Sequence, residues 1–302
     1  MDWSSVLRRG GIKQQQDTPF FVLGPTAVGK SELALDTACA WGAEVISMDA
    51  FQVYKGLDIG TGKVSSDDQA RVKHHLLDVV GPHENFHVAR YLELVSDALA
   101  EIRQGQVPVV FVGGTGLYYR ALRRGLTRAP VSEPEIVNRL ETLPLDRLKK
   151  MAIDCDPEWA QRKGSDLGNT RRLIRVIAVF QDTGKPLSQW QKEMSLPLCS
   201  ENSPAQVICL VMETNALRKR IQKRVQKMWS SGWLEEVEQL MMLADWQGSQ
   251  SYQALGYAQV EAFLLGKVTK DEAINEIVTK TSQFAKRQMT WWRKEKVPFF
   301  EL

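Results

Sequence analysis

Short apolar runs alternate along the first part of the chain with segments whose apolar residues recur at helical spacing. Residues 20–23 form an apolar run before a glycine-rich turn, which predicts a buried strand. Residues 30–41 have the spacing of a helix, and residues 43–48 and 107–112 predict two further strands. An amphipathic stretch at 88–103 precedes the last of them. Strands that alternate with helices in this way indicate an α/β fold, a parallel sheet flanked by helices.

The pattern changes in the middle of the chain. Residues 121–203 contain helical segments rich in Arg and Lys and punctuated by prolines, and we interpret them as a mostly helical insertion domain that contacts a partner. Residues 205–212 predict a strand that returns to the sheet, and helices follow it. The core is therefore expected to be discontinuous, at 18–120 and 204–302, and the polar residues 1–17 are expected to be disordered.

Composition limits the class of protein. The chain has 302 residues, 43% hydrophobic and 25% charged, enough to bury a sizeable core. No apolar run approaches the roughly 18 residues of a membrane span, and no secretory signal precedes the core. We therefore expect a cytoplasmic, monomeric protein with no membrane partner. The four cysteines form no C-x-x-C pair, which favours reduced thiols over disulfides or a zinc site.

Residues 24–31 match the phosphate-binding pattern G-x-x-x-x-G-K-[ST] without a mismatch. They follow a predicted strand and precede a predicted helix, so pattern and context agree. Glycines let backbone N–H groups turn toward phosphate oxygens, and the helix N-terminus adds partial positive charge. Lys30 is expected to bridge the terminal phosphates and Ser31 to bind Mg²⁺. The motif predicts a P-loop NTPase-like core with a phosphate site at Gly24, Thr26, Ala27, Val28, Gly29, Lys30 and Ser31.

The acid that usually accompanies this loop is missing. The strand at 107–112 runs into Gly113 and Gly114 without an Asp or Glu at its end, which counts against an ordinary ATPase or kinase. Asp49 instead follows the strand at 43–48, at the edge of a parallel sheet where ligands bind. It is a candidate general base or Mg²⁺ partner. The alternative is an Asp that only caps the turn after its strand.

Several further motifs follow one another along the chain. Beyond the phosphate loop they are residues 49–61 and 113–118, Arg171-Arg172-Leu173-Ile174-Arg175, Gly184-Lys185-Pro186-Leu187, Leu255-Gly256-Tyr257, Ala285-Lys286-Arg287-Gln288 and Thr290-Trp291. Together they resemble the tRNA dimethylallyltransferase (isopentenyl-tRNA transferase) family over nearly the whole chain, from about residue 18 to the end.

The resemblance implies a particular reaction and particular partners. Dimethylallyl diphosphate would occupy the place of a nucleotide's phosphates. Its five-carbon group would pass to N6 of the adenosine immediately 3′ of the anticodon, position 37, in tRNAs that read codons beginning with U. By the same resemblance Asp49 accepts the amine proton, Thr115 positions the base and Asp49, and Arg224 contacts the diphosphate, with Arg220 second. The implied partners are dimethylallyl diphosphate, Mg²⁺ and the anticodon stem-loop of tRNA.

Elementary chemistry is consistent with those roles. Ionising an allylic C–O bond develops negative charge on the leaving diphosphate, so Lys30, Mg²⁺ and an Arg are most valuable as the transition state forms. An exocyclic adenine amine is a weak nucleophile that must lose a proton, which a carboxylate can accept. A stacked base cannot be alkylated, so the enzyme is expected to extrude it. Gln52, in the same turn as Asp49, is a candidate for reading the adenine.

Basic residues cluster in three regions. Residues 216–229 contain six Lys or Arg and no acid, a second cluster lies at 286–296, and the third is in the insertion. One such run alone is typical of a solvated helix face, but three favour RNA. A family contact falls at Val137, where Arg139 is the candidate substitute. The tRNA contacts that the resemblance and the charge predict are Asp49, Ala50, Phe51, Gln52, Thr115, Arg171, Arg172, Arg175, Gly256, Tyr257, Lys286, Arg287, Gln288, Thr290, Trp291 and Arg293.

Two other classes of function compete with this interpretation. A small-molecule or nucleoside kinase would share the phosphate loop and the parallel sheet, and it predicts ATP consumption without tRNA. An RNA-binding protein with a vestigial phosphate loop would explain the basic runs, although the intact Lys30, Ser31 and Asp49 argue against it. The adjacent His74 and His75 are expected to be structural, because neighbouring side chains on a regular element point in different directions.

Overall fold

The computed structural model describes residues 3–162 and 167–302. The chain divides into two compact units, Met1–Arg123 with Glu201–Leu302 and, separately, Arg124–Ser200. Within the described residues, no helix has both the length and the apolar character that crossing a membrane requires.

The first unit is built on a six-stranded sheet whose pairings are all parallel, which confirms the predicted α/β fold. Each residue of the first strand is fully buried, as expected where helices cover both faces of a parallel sheet. In spatial order β3-β2-β4-β1-β5-β6, the strands are β1 (Phe20–Leu23), β2 (Glu44–Ser47), β3 (His74–His75), β4 (Val109–Gly113), β5 (Gln206–Val211) and β6 (Phe299–Glu301).

Helices of the first unit connect and flank these strands. The one after β1 begins at Lys30, as predicted, and ends at Gly42, whose left-handed backbone caps it. The first unit contains α1 (Trp3–Arg9), α2 (Lys30–Trp41), α3 (Ser66–Arg71), α4 (Val88–Gly105), α5 (Gly116–Arg124, whose last residue falls in the second unit), α11 (Thr214–Ser230), α12 (Trp233–Met241), α13 (Tyr257–Leu264) and α14 (Lys270–Glu295).

The second unit is helical. Its longest helix contributes a continuous apolar face, including Leu173, Val176 and Ile177, to a separate core. Trp159 and Leu148 pack into the same core from neighbouring helices. The unit consists of α6 (Pro134–Glu141), α7 (Leu145–Cys155), α8 (Pro157–Arg162), α9 (Thr170–Thr183) and α10 (Leu187–Trp190).

The N-terminal segment is the main departure from the expected fold. Disorder was predicted for residues 1–17, but α1 forms at Trp3–Arg9 and buries Trp3 and Val6. The residues that follow are also attached, since the Lys13 N–H donates to Oε1 of Gln206 at 2.8 Å. Burial of the indole offsets the entropy of ordering a short helix. The prediction was wrong for residues 3–17, and residues 1 and 2 lie outside the described residues.

Candidate active site

The phosphate loop depends on its two glycines for its backbone conformation. Gly24 has φ 140°, and a β-carbon built on it would lie 2.5 Å from the carbonyl oxygen of Leu210. Gly29 has φ 109°, a region that side chains rarely adopt. Between them, Val28 points into the core and is fully buried, which fixes the middle of the loop. The loop thus presents the N-terminus of α2 as a preformed site for an anion.

Lys30 is held inside this loop rather than in open solvent. Its ammonium group donates to the carbonyl oxygen of Pro25 at 2.7 Å. Burial and, to a smaller extent, the neighbouring Arg224 guanidinium lower the pKa of Lys30 to about 8, while Asp49 opposes the shift. A bound diphosphate would supply the negative charge that this cluster lacks.

Asp49 lies just beyond β2 and shapes the turn that follows it. Its Oδ1 accepts hydrogen bonds from the backbone N–H groups of Phe51, at 2.9 Å, and Gln52, at 3.4 Å. No hydrogen bond from another described residue reaches its second oxygen, Oδ2. The turn-capping interpretation and the catalytic one are therefore compatible, because each uses a different oxygen.

Close packing at the end of β4 leaves little room for the acidic side chain that binds magnesium in other phosphate-loop proteins. A β-carbon on Gly113 would lie 2.3 Å from the carbonyl oxygen of Met48, and one on Gly114 would lie 2.1 Å from Nε2 of Gln288. Both distances are far below any ordinary carbon contact. A side chain at Gly113 would collide with the backbone that follows β2, and one at Gly114 would displace the Gln288 amide from its position.

Gln288 ties the phosphate loop to the end of β4. Its Oε1 accepts from the Thr26 N–H at 2.9 Å, and its Nε2 donates to the carbonyl oxygen of Gly114 at 3.0 Å. The side chain is buried, so both bonds form away from water. We predicted Gln288 as a tRNA contact, but the structure uses its amide to hold two loops in register.

Basic side chains of α11 form the opposite wall of the phosphate site. A cleft of about 360 Å³ lies between the phosphate loop and this helix. Arg220 and Arg224 line it as predicted, one turn apart, and so does Lys223, which the sequence analysis did not single out. A signal for Lys223 was present, because residues at i, i+3 and i+4 share one helix face. The remaining lining residues are Ala27, Gly29, Lys30, Ser31 and Glu32.

A narrower cavity of about 70 Å³ continues this cleft toward Asp49. The two share Lys30, Ser31 and Arg224, so the phosphate site opens directly onto the carboxylate. Lining residues that the sequence predicted are Thr26, Asp49, Gln52 and Gln288, and those it did not predict include Thr61, Gly62, Val64, His74, Leu77 and Phe284.

Gln52 and Arg224 both bind the backbone of residues 61–62, which line this cavity. The amide of Gln52 donates to the carbonyl oxygen of Gly62 at 3.3 Å and accepts from the Ser47 hydroxyl at 3.2 Å. The Arg224 guanidinium donates to the carbonyl oxygen of Thr61 at 3.1 Å. Burial lowers the pKa of Arg224 and Asp49 raises it, so the two charges sit near enough to interact.

A backbone hydrogen bond holds Thr115 close to Asp49. Its N–H donates to the carbonyl oxygen of Met48 at 3.4 Å, and its own carbonyl oxygen accepts from the Tyr118 N–H at 3.0 Å. These bonds place Thr115 at the start of α5, next to the residue that precedes Asp49. The predicted pair is thus brought together at the ends of β2 and β4.

Comparison with known sequences identifies the family of this site. The sequence profile of the IPP transferase family matches residues 52–295. The chain belongs to the IPP transferase family. It is 37% identical over 272 residues to tRNA dimethylallyltransferase 1 of Citrifermentans bemidjiense, covering 90% of this chain and 88% of that protein. It is 39% identical over 280 residues to tRNA dimethylallyltransferase 1 of Trichlorobacter lovleyi, covering 91% and 90%.

Solved structures agree with the IPP transferase assignment. The chain is similar to the full-length tRNA isopentenylpyrophosphate transferase of Bacillus halodurans, with a TM-score of 0.66, 31% identity, and coverage of 94% of this chain and 90% of that one. It also shares the fold of a eukaryotic dimethylallyltransferase acting on tRNA, with a TM-score of 0.78 and 24% identity over 94% of this chain and 74% of that one.

Two predicted tRNA contacts of this IPP transferase are buried. Tyr257 is 0% exposed and donates from its hydroxyl to Glu236 at 2.7 Å. Gly256 begins α13 with φ 95°, and a β-carbon there would lie 2.2 Å from Cη2 of Trp233. Both residues therefore pack the protein interior in this structure, and their contact with tRNA stays a prediction.

Glu236 holds residues 58–60 in place, directly before the segment that lines the cavity next to Asp49. Its buried carboxylate accepts from the N–H groups of Asp58 at 2.8 Å, Ile59 at 2.6 Å and Gly60 at 3.1 Å. The sequence analysis missed this residue. Since its partners are about 177 positions away in sequence, no local pattern marks it.

The predicted basic residues of the second unit differ in their surroundings. Arg175 donates to the carbonyl oxygens of Pro130 at 2.7 Å and Ala129 at 3.1 Å, so its guanidinium pins a loop of its own unit. Arg175 thus has a structural role in its own unit, and its contact with tRNA stays a prediction. Arg171 and Arg172 are exposed at the start of α9, and Arg139 is exposed and donates to Gln181 at 3.0 Å.

Helix α14 divides its predicted residues between an exposed and a packed side. Lys286, Arg287, Thr290 and Arg293 are exposed. Trp291 is partly buried under the Arg120 guanidinium, 4.3 Å from its ring, which gives it a packing role in addition to any contact with RNA.

The donor atoms around the loop suit a hard cation. Ser31 and Asp49 place side-chain oxygens beside the phosphate loop, the type of atom that Mg²⁺ prefers as a ligand. Among the described residues, no group of three His, Cys, Asp or Glu could hold a metal by itself. His75 instead contacts Glu44 at 2.6 Å and His74 the carbonyl oxygen of Val72 at 2.7 Å, so the histidines do not converge.

Proposed function

We propose that this protein transfers a dimethylallyl group from dimethylallyl diphosphate to N6 of adenosine 37 in tRNA. One observation carries the proposal: in a member of the IPP transferase family, the phosphate loop opens onto Asp49, while packed glycines occupy the place of a Walker-B acid. Two relatives, 37% and 39% identical in sequence, are named tRNA dimethylallyltransferases.

The leaving group is stabilised by charge on both sides. The N-terminus of α2 and Lys30 face the diphosphate from the loop, and Arg220, Lys223 and Arg224 face it from α11. Because the C–O bond breaks with the electron pair going to the diphosphate, these contacts strengthen as the allylic cation forms. Ser31 would hold a Mg²⁺ ion, which would supply further positive charge to the leaving group.

The acceptor half of the reaction uses the ends of β2 and β4. The adenine must leave the base stack to reach the cavity between these strands. Its N6 attacks the allylic carbon, and Oδ2 of Asp49 accepts the proton that the new C–N bond displaces. Thr115 holds the base and the carboxylate in register, and Gln52 reads the adenine, together with the turn at Ala50 and Phe51.

The substrate tRNA docks by its anticodon stem-loop on basic helix surfaces. Exposed residues of α14 and of the second unit, Arg171 and Arg172 among them, suit phosphate contacts. We assign residues 121–203 as the insertion domain that contacts tRNA and residues 18–120 and 204–302 as the catalytic core. We further propose that the enzyme acts as a cytoplasmic monomer on tRNAs that read codons beginning with U.

Nucleoside analysis tests this function. Unmodified tRNA incubated with the protein, Mg²⁺ and dimethylallyl diphosphate should gain one five-carbon group on one adenosine, detected by mass spectrometry of digested nucleosides. A tRNA with guanosine at position 37 is the control and should stay unmodified. Phosphorylation of a nucleoside by ATP without any modified adenosine would instead support a kinase.

A further inference from the structure

Helix α1 lies against the phosphate loop. Trp3, in its first turn, is 3% exposed. A β-carbon built on Gly29 would lie 3.1 Å from Cη2 and 3.2 Å from Cζ2 of this indole. The ring therefore covers one side of the glycine that immediately precedes Lys30.

The segment around α1 is attached to the elements that border the loop. The Arg9 guanidinium lies 4.8 Å from the centre of the Phe300 ring, in β6. Gln14 donates to the carbonyl oxygen of Trp41, at the end of α2, at 3.0 Å. These contacts hold the helix in one place, so Trp3 presses on the loop as part of a fixed surface.

Gly29 is the residue of the loop on which this support acts. It has no side chain to restrict its φ of 109°, so its conformation is held by neighbours: its carbonyl oxygen accepts from the Leu33 N–H at 3.2 Å, and Trp3 packs on its other side. The β-carbon built on Gly29 would also lie 3.5 Å from Nη2 of Arg220. The indole and a cation of the donor site thus meet at one glycine.

We propose that Trp3 is a positioning residue for the donor site. By packing on Gly29 it holds the adjoining N–H groups and Lys30 in the conformation that binds a diphosphate. Without the indole, the loop would have to become ordered when the diphosphate binds, and this ordering would weaken the binding. The identity of the donor rests on the proposed function, whereas the diphosphate site itself rests on the loop.

Calorimetry with inorganic pyrophosphate and Mg²⁺ tests this role on the full chain. Trp3→Ala should weaken pyrophosphate binding by about tenfold, or about 1.4 kcal/mol. The KM for dimethylallyl diphosphate should rise by a similar factor while the KM for tRNA stays unchanged. Trp3→Phe, which keeps an aromatic ring on the loop, should recover most of the affinity.

Val6→Ala is the matched control, because Val6 is the other buried residue of α1. It should lower the melting temperature without changing pyrophosphate affinity more than about twofold. Wild-type affinity in Trp3→Ala, or in Trp3→Leu if the alanine variant does not fold, would overturn the proposal. Normal pyrophosphate binding by a wild-type protein that transfers no prenyl group would contradict the proposed function and leave this inference standing.

Discussion

Asp49 can serve both its turn and the reaction because a carboxylate has two oxygens. Oδ1 accepts from the backbone of Phe51, and Oδ2 is the oxygen that we propose accepts the proton of the substrate amine. Asp49→Asn separates the two roles, since the amide oxygen can still cap the turn but cannot accept the proton. We expect kcat to fall by roughly 10²- to 10⁴-fold.

Binding measurements complete that prediction. The affinity of Asp49→Asn for tRNA should stay close to that of the wild type in a filter-binding assay, because the turn is intact. Transfer at the normal rate in single-turnover experiments would show that Asp49 is not the base.

The lowered pKa of Lys30 makes donor binding sensitive to alkaline pH. With a pKa of about 8, Lys30 is charged below that pH in the free enzyme and neutral above it. Because only the charged form attracts the diphosphate, kcat/KM for dimethylallyl diphosphate should decline above about pH 8. The decline should be much weaker in kcat, since bound diphosphate favours the protonated amine.

A pH profile at saturating tRNA checks this expectation. Lys30→Arg provides the comparison, because a guanidinium stays charged throughout the range. If the wild-type profile stays flat to pH 10, Lys30 does not titrate as its surroundings indicate.

At the scale of elements, α11 contributes to the donor site through one face only. Arg224 lines the phosphate cleft, whereas Lys219 is exposed and is not among its lining residues. Arg224→Ala should raise the KM for dimethylallyl diphosphate by about 10- to 100-fold, as expected for loss of a hydrogen bond to a charged group. Lys219→Ala should change it less than about twofold. Equal effects of the two variants in steady-state kinetics would mean that general charge is what matters.

Helix α14 carries both the basic residues that we propose bind tRNA and Gln288, which contacts the phosphate loop. Replacing Lys286, Arg287 and Arg293 by alanine should weaken tRNA binding and lower the salt dependence of the affinity by about one unit of slope per phosphate contact. Gln288→Ala should instead raise the KM for the donor, since it releases Thr26 and Gly114.

Lys280→Ala is the control on the same helix, because Lys280 pairs with Glu276. It should leave the affinity for tRNA and the KM for the donor unchanged. If Gln288→Ala weakened only tRNA binding, its bonds to the two loops would have no bearing on the donor site.

Across the whole molecule, local patterns predicted the centre of the sheet and long-range contacts decided the rest. Strand β1 and helix α2 were recognisable because a buried run, a glycine loop and a helical period follow one another directly. Strands β3 and β6 have only two and three residues, too short for any period to show.

The candidate site was predictable to a similar extent. The phosphate loop and Asp49 follow from motif and chemistry, Arg224 follows from the family resemblance, and all three lie together. Gln288 and Glu236 act on loops 262 and about 177 positions away, so their roles needed the tertiary structure. The burial of Tyr257 and the internal bonds of Arg175 were likewise invisible, because type and charge do not tell which side of a helix packs.

The central claim is that the phosphate loop holds a leaving group, with the driving force carried in the prenyl donor. Its most direct test is to count pyrophosphate released against adenosines modified, with tRNA and dimethylallyl diphosphate present and no nucleotide added. We predict one pyrophosphate per modified adenosine and no change on adding ATP beyond competition for the loop. A requirement for ATP hydrolysis, or pyrophosphate release without adenosine modification, would contradict the account.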